Sequence, residues 1–443
     1  MSTRLKFERR GALQRLARSE FLRHGLLVFG ASQIVNVFGY LFHFVMLRKL
    51  GVVSYGALSS LFAGLTVASV PSTILTMIVV RFAAEFKAVG DLPKVRRLHQ
   101  QMLAGTGICA LLIFAAACIA RSAIAGYLHI SQSGPIMATA AILSFYIMLP
   151  SARAVLQGIE DFQNFAISTA LEGAGKALLG IALVFAGFGL TGAIGGYAAA
   201  SLIALLYATA AVRVHVRSLP RVALSLDVRR IIQTTGGITA GILGVAILGQ
   251  LDIVLVKHFF SGAQAGIYGA TSVVARMLFF LVAFIPQVLL PKAIARAASG
   301  GSPRRLLAYA AGLTALLSAL GLAIFAIFSR QLITIMAGSA FIAAATYVFR
   351  YGIAMTILAA LTLVTTYKIG LHRFDFVLPL GAGVIGEIIA ITLMHAGLLQ
   401  VITIITIGHA VVLLGSLYRI GKPVRFLASA DVPLASRPSA SSG

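Results

Sequence analysis

The chain has 443 residues, 59% of them hydrophobic and 11% charged, and its mean hydropathy of +0.97 exceeds what the surface of a water-soluble domain can carry. The net charge of +24, from 36 Lys and Arg against 12 Asp and Glu, raises the question of a nucleic-acid partner, which the placement of those charges answers in the negative. The composition is that of a polytopic membrane protein.

In chain order, residues 1–24 form a basic, weakly amphipathic segment ("RLKFERRGALQRLARSEFLRHG"), suited to lie on an anionic membrane surface. A full-length span follows it rather than a short apolar core with a cleavage site, so no cleaved signal peptide is expected. About twenty apolar residues cross the hydrocarbon core as a helix. Twelve windows of that kind appear, at about 25–47, 54–82, 99–120, 134–156, 163–187, 189–212, 230–257, 265–290, 305–328, 341–367, 374–397 and 399–418. The expected organisation is all-α. An N-terminal six-helix half covers 25–212, a cytoplasmic linker 213–229, a C-terminal six-helix half 230–420, and a disordered cytoplasmic tail 421–443. The longest loops, near 83–98, 213–229 and 291–304, leave no room for a soluble domain.

With the N-terminus in the cytoplasm, 28 of the 36 Lys and Arg fall on the cytoplasmic side, Arg153 among them. Five lie outside (Arg48, Lys49, Arg121, Lys257, Arg330) and three within the bilayer. The positive-inside rule accounts for this distribution and places both termini in the cytoplasm.

Ionisable residues inside a span cost about 2.5–3.5 kcal/mol each at the helix centre, so they face a cavity or a partner. Glu172 and Lys176 lie in the fifth span, Asp252 in the seventh, Arg276 in the eighth, Arg350 in the tenth and Glu387 in the eleventh. Lys176, Arg276 and Arg350 are the candidate substrate-binding cations, Arg through forked hydrogen bonds and Lys as a point charge. Glu172, Asp252 and Glu387 are the candidate cavity carboxylates, which orient those cations or take up a coupling H+ or Na+. Glu172 and Lys176, one helical turn apart, either line a hydrated cavity or neutralise each other as an i,i+4 pair. His43 and His395 read as packing residues, and Arg81 with Glu85 as the anchor of a cytoplasmic helix end. Cys109 and Cys118 read as buried apolar thiols. The string "GAGK" at 173–176 lacks the remaining Gly and the Ser or Thr of a phosphate-binding loop, and His and Cys show no metal spacing, so neither a cofactor nor a metal is expected.

An internal repeat is visible. "RKLGVVSYGALSSLFAG" after the first span and "VKHFFSGAQAGIYGATSVVARM" after the seventh both reach Tyr-Gly-Ala at the head of the next helix, with Tyr55 and Tyr268 213 residues apart. "DLPKVRRL" and "GSPRRLL" echo each other further on. Six spans separate equivalent points, so the halves share one orientation and a pseudo-two-fold axis along the membrane normal.

The stretch "LRKLGVVSYGALSSLFAGLTVASVPSTILTMIVVRFAAEFKAVGD" resembles the first-loop and second-helix signature of the multidrug/oligosaccharidyl-lipid/polysaccharide (MOP) exporter superfamily, in its polysaccharide-biosynthesis flippase branch. The matching positions are Arg48, Leu50, Gly51, Tyr55, Gly56, Arg81, Ala84 and Glu85. "QGIEDFQNFAI", "QLDIVLVKHFFSGAQAGIYGATSVVARM" and "PQVLLPK" are also similar, and the resemblance covers about 25–310. The family often has basic residues where this chain has Glu160 and Asp161, which removes an anionic-headgroup contact there. The resemblance implies a flippase, not an enzyme, of the bacterial inner membrane. It would carry a polyprenyl-pyrophosphate-linked oligosaccharide to the outer leaflet by alternating access, for surface polysaccharide assembly. The implied partners are the lipid-linked glycan, membrane lipids and polysaccharide polymerase or export machinery, with no nucleic acid. A cation-coupled multidrug or small-metabolite antiporter of the same superfamily shares the architecture but favours an acidic, aromatic cavity with few Arg. A glycan polymerase would need larger outer loops.

Overall fold

The computed structural model describes residues 27–418 except 29, 221, 225–227 and 299–301. The segments expected at 1–24 and 421–443 lie outside the described residues. Among those described there is no strand, and ten helices are long and apolar enough to cross a membrane.

The N-terminal half begins with α1 (Gly30–Lys49). Next, α2 (Gly51–Ala68) and α3 (Val70–Ala88) form one span bent at Ser69, with Pro71 in the first turn of α3, where a missing N–H costs nothing. The 36-residue α4 (Leu92–Tyr127) starts at Asp91, whose side chain accepts from Lys94 N and satisfies an orphan N–H of the first turn. α5 (Ser133–Gly158) carries Pro150 in its interior without ending there.

The apolar stretch Phe162–Val216 is 55 residues long and folds as a hairpin. α6 (Phe162–Leu183) and α7 (Gly189–Val216) are joined by a π turn at Val184–Phe188. Gly187 (φ 93°) and Gly189 (φ 50°) turn the chain back, a geometry that a residue with a Cβ adopts only under strain. The hairpin is tight: a Cβ on Gly196 would lie 2.6 Å from the Leu179 carbonyl carbon.

The second half opens with α8 (Val228–Leu248) and α9 (Leu251–Phe259), broken at Gly249–Gln250. Its counterpart α1 has no such break among the described residues. α10 (Gly262–Val282) and α11 (Phe284–Ala298) are bent at Ala283, with Pro286 in the first turn of α11, and so repeat the bent second span of the first half. α12 (Arg304–Met336), a 3-10 turn at Ser339–Ala344, α13 (Ala345–Gly370), α14 (Val377–Leu393) and α15 (Leu398–Leu417) complete it. Counting the hairpin as two crossings and adding the shorter apolar α14 to the ten long helices gives the twelve expected.

Large apolar side chains cover the outside, among them Leu111, Ile119, Leu206, Leu316 and Val411. In lipid such groups gain little from burial, so helix association rests on close packing of small residues and on polar contacts. Cys109 belongs to that outer face: it is exposed, not buried as the sequence suggested, because its α4 position looks away from the bundle.

The repeated Tyr-Gly-Ala motifs bring the halves together. Tyr55 and Tyr268 are both buried, and α2 crosses α10 so closely that a Cβ on Gly56 would stand 2.7 Å from Gly266 N. A Cβ on Gly266 would run into the Val52 carbonyl oxygen. Around this crossing, Arg48 Nη2 donates to Ile335 O at 2.7 Å, Tyr55 meets Phe341 edge to face, and Tyr127 stacks on His258 at 3.9 Å. These contacts lie at the C-terminal end of α1, opposite the Lys- and Arg-rich loops. α3 also packs against α8.

Candidate functional site

The first polar cluster lies on one face of α6, where Ser168, Glu172 and Lys176 recur at four-residue spacing. Arg153 of α5 reaches across to it. Its Nη1 donates to Glu172 Oε2 at 2.7 Å, its Nε to Ser168 Oγ at 3.0 Å and its Nη2 to Ser168 O at 2.6 Å. Ser168 Oγ in turn donates to Ala204 O of α7 at 3.1 Å. Glu172 is therefore paired with Arg153, and of the two readings of Glu172 and Lys176 the mutual i,i+4 pair is replaced by this contact, in which a guanidinium matches a carboxylate better than an ammonium does. The Arg153 and Glu172 side chains are only 13% and 14% exposed.

Lys176, one turn further along, has no ion pair among the described residues. Its Nζ sits 4.9 Å from the Tyr197 ring centroid and 5.9 Å from that of Phe42, so the aromatic faces hold the charge. The Tyr197 and Tyr146 hydroxyls hydrogen-bond each other.

The second cluster surrounds the break between α8 and α9, which leaves backbone carbonyls without helical partners. Arg276 of α10 donates to the freed Gly249 O and at 3.5 Å to Tyr351 Oη. Asp252, 1% exposed, accepts at Oδ2 from Tyr268 (2.7 Å) and Tyr351 (2.6 Å), and its Oδ1 lies 4.0 Å from Arg276 Nη2. Asp252 thus belongs with Arg276 and two tyrosines. Arg276 Nε and Asp252 Oδ1 have no hydrogen-bond partner among the described residues.

Glu387 of α14 is 2% exposed, and neither of its oxygens is hydrogen-bonded among the described residues. His409 Nε2 lies 3.8 Å from Oε2. That ring also faces Leu248 O at 3.1 Å through Nε2 and Ala354 O at 3.2 Å through Nδ1. A neutral imidazole can donate to only one of these carbonyls, whereas an imidazolium can donate to both with Glu387 as its counter-ion. Glu387 and His409 are therefore neighbouring titratable groups beside the helix break.

His43 of α1 packs edge to face against Phe42, Tyr55 and Phe62, with its Nδ1 3.0 Å from Tyr55 Oη. The packing role read from the sequence describes these contacts, and those of His395, stacked on Phe259 at 4.3 Å. Arg350 stands apart: it is exposed on α13, while its neighbour Tyr351 turns inward to Asp252, so the structure does not bring Arg350 to the other two cations.

The sequence reading missed Arg153 and His409. Arg153 falls inside the fourth predicted span, yet the charge count places it with the cytoplasmic residues; an Arg followed by five more residues of helix is the available signal. His409 carried no local signal. Among the described residues no three His, Cys, Asp or Glu side chains come together as a metal site.

At the membrane edge, Glu160 and Asp161 have structural partners. Lys87 Nζ donates to Glu160 Oε2 at 2.6 Å and to Ile159 O at 2.7 Å. Asp161 caps α6, accepting from Asn164 N at 3.2 Å, and contacts His215 Nε2 at 2.7 Å. Burial raises the Asp161 carboxyl, but the bonds from Asn164 and His215 outweigh it and hold the group below its ordinary value.

The sequence pattern of the polysaccharide biosynthesis protein family matches residues 22–297, more than half of the chain. The chain belongs to that family. Solved structures agree with this member's fold, that of the MOP superfamily. An inward-facing multidrug resistance MATE family transporter of that superfamily superposes with a TM-score of 0.72 at 12% identity, covering 87% of this chain and 93% of its own. The lipid II flippase MurJ, in an inward closed conformation, does so with a TM-score of 0.71 at 10% identity, covering 90% and 88%. The MATE multidrug transporter DinF-BH, solved as a complex, gives 0.61 at 13%, covering 90% and 96%. No individual curated protein sequence is detectably similar.

Proposed function

We propose that the protein is a flippase that carries a polyprenyl-(pyro)phosphate-linked oligosaccharide from the cytoplasmic to the outer leaflet, for surface polysaccharide assembly. The observation that carries this reading is the uneven engagement of the membrane-embedded cations. Arg153 is committed to Glu172 and Ser168, and Arg276 to Gly249 O with Asp252 nearby. Lys176 keeps its ammonium against aromatic faces with no carboxylate in contact. A cation held that way can exchange an aromatic face for a phosphate oxygen at little cost in desolvation.

In this reading the halves rock about the α2–α10 crossing, and a coupling H+ or Na+ acts at Glu387 and Asp252. The Glu387–His409 unit depends on the position of Leu248 O at the α8–α9 break, so movement of that break changes the preferred proton inventory. The membrane is the bacterial inner membrane with both termini cytoplasmic, as the positive-inside count favours. Membrane lipids and the polymerase or export machinery are the further partners, and no covalent chemistry is assigned.

The test is leaflet accessibility of a lipid-linked oligosaccharide in proteoliposomes, comparing wild type with Lys176→Gln and Arg276→Ala at matched insertion. Protein-dependent exposure of the glycan that falls with either change supports the proposal. If wild type exposes no glycan across a panel of lipid-linked oligosaccharides yet catalyses efflux of small molecules driven by a cation gradient, the antiporter reading replaces it.

A further inference from the structure

A separate group of basic residues lies at the loop-bearing end of the first half. On α4, Arg96, His99, Gln100 and Leu103 follow i, i+3, i+4, i+7 spacing, and at the end of α7 Arg213, Val216 and the capping residue Arg217 follow i, i+3, i+4, so each set shares one face. The two faces oppose each other across a cavity of about 280 Å³ lined by these seven residues. This is near the lower end of the roughly 300–1,000 Å³ usual for small-ligand sites. No carboxylate of the described residues lines it. Arg213 and Arg217 have no hydrogen-bonded or ion-paired acceptor for their side chains among the described residues, whereas Arg96 is tied to Leu219 O. His99 supplies the second, independent observation: it is 3% exposed, and neither ring nitrogen has a hydrogen-bond partner among the described residues.

Topogenic arginines need only stand on the correct side of the membrane. They have no reason to converge with a buried, unsatisfied imidazole, which costs about 1–3 kcal/mol unless something completes it. The depth is also informative. α4 has 36 residues and is about 54 Å long at 1.5 Å per residue, which exceeds a hydrocarbon core of about 30 Å. Its first turns therefore stand at headgroup level, where phosphate is abundant.

We propose that this cavity binds a phosphate-class anion, with Arg213 and Arg217 donating from the rim and His99 from the floor. The source is either the headgroup of an anionic phospholipid or free phosphate. The site lies outside the Lys176 and Arg276 clusters and does not rest on what the protein transports.

The test uses the full chain in nanodiscs of phosphatidylglycerol and phosphatidylcholine in equal parts, with retained lipid read by native mass spectrometry. A second arm titrates inorganic phosphate into lipid-free detergent samples and reads binding by calorimetry. Arg213→Gln with Arg217→Gln removes the rim charges at exposed positions, and His99→Gln removes the floor. Arg304→Gln with Arg305→Gln removes the same charge from the second half and serves as the control. Preferential retention of phosphatidylglycerol that drops roughly tenfold or more in the rim variant, and not in the control, establishes the site with lipid as its source. Phosphate binding with the same variant dependence, without lipid preference, establishes it with free phosphate as its source. No binding in either arm, or an equal loss in rim variant and control, overturns the proposal and leaves only diffuse surface charge.

Discussion

Arg153 Nη1 lies 2.7 Å from Glu172 Oε2, across the contact between α5 and α6. The carboxylate one turn from Lys176 is therefore already engaged, and the two neighbours on α6 differ in their contacts: Glu172 ties α6 to α5, and Lys176 keeps its ammonium against the Tyr197 and Phe42 rings.

Glu172→Gln should accordingly destabilise the protein by about 3 kcal/mol, the low end for breaking a buried pair, because it strands the Arg153 guanidinium. Adding Arg153→Met should recover much of that loss. Lys176→Gln should leave stability within about 0.5 kcal/mol, since it breaks no ion pair. Thermal unfolding of the four proteins in detergent checks the ordering, and equal losses for Glu172→Gln and Lys176→Gln would show that the pair assignment is wrong.

Gly266→Ala should force α2 and α10 apart, since its Cβ meets the Val52 carbonyl oxygen, a backbone atom that cannot swing away. With Cys109 and Cys118 replaced, spin labels at Val53→Cys and Ala263→Cys should report a longer and broader distance distribution in Gly266→Ala than in the parent. An unchanged distribution would mean that the crossing tolerates a methyl group.

Glu387 and His409 should behave as a unit. Glu387→Gln and His409→Leu each remove one partner, and the double substitution should cost less than the sum, with a coupling energy of about 1–3 kcal/mol. Additive losses would show the 3.8 Å approach to be incidental.

Asp161 gives a pH dependence with a definite sign. Its folded-state carboxyl is held below the ordinary value, after burial and the opposing Asn164 and His215 bonds are both counted. The folded protein thus binds fewer protons there than the unfolded chain. The contribution is complete above the unfolded pKa of about 3.9 and fades as pH falls through the lower folded value. Across the carboxylate range, below about pH 5, the stability advantage of wild type over Asp161→Asn should shrink as pH falls. An advantage that grows over that range would contradict the assignment.

The fold was legible because hydrophobic windows of span length leave little choice in a membrane, and because Tyr55-Gly56 and Tyr268-Gly269 mark equivalent helix heads. Lys176, Arg276, Asp252 and Glu387 were legible as charges where charge is costly. Their partners were not. Arg153 is 19 residues from Glu172 and Tyr351 is 99 from Asp252, separations that carry no local pattern. Arg350 looked equivalent to Arg276, but neighbouring residues on one helix point about 100° apart, and only the packing decides which of Arg350 and Tyr351 turns inward.

At its closest approach, Gly56 against Gly266, the α2–α10 crossing is bare backbone. Interlocked side chains would have to change rotamer before two such helices could part, and each change would add a barrier. Glycine against glycine has nothing to unlock. In the proposed cycle this point would serve as the bearing, on which the halves tilt while each keeps its own internal packing whole.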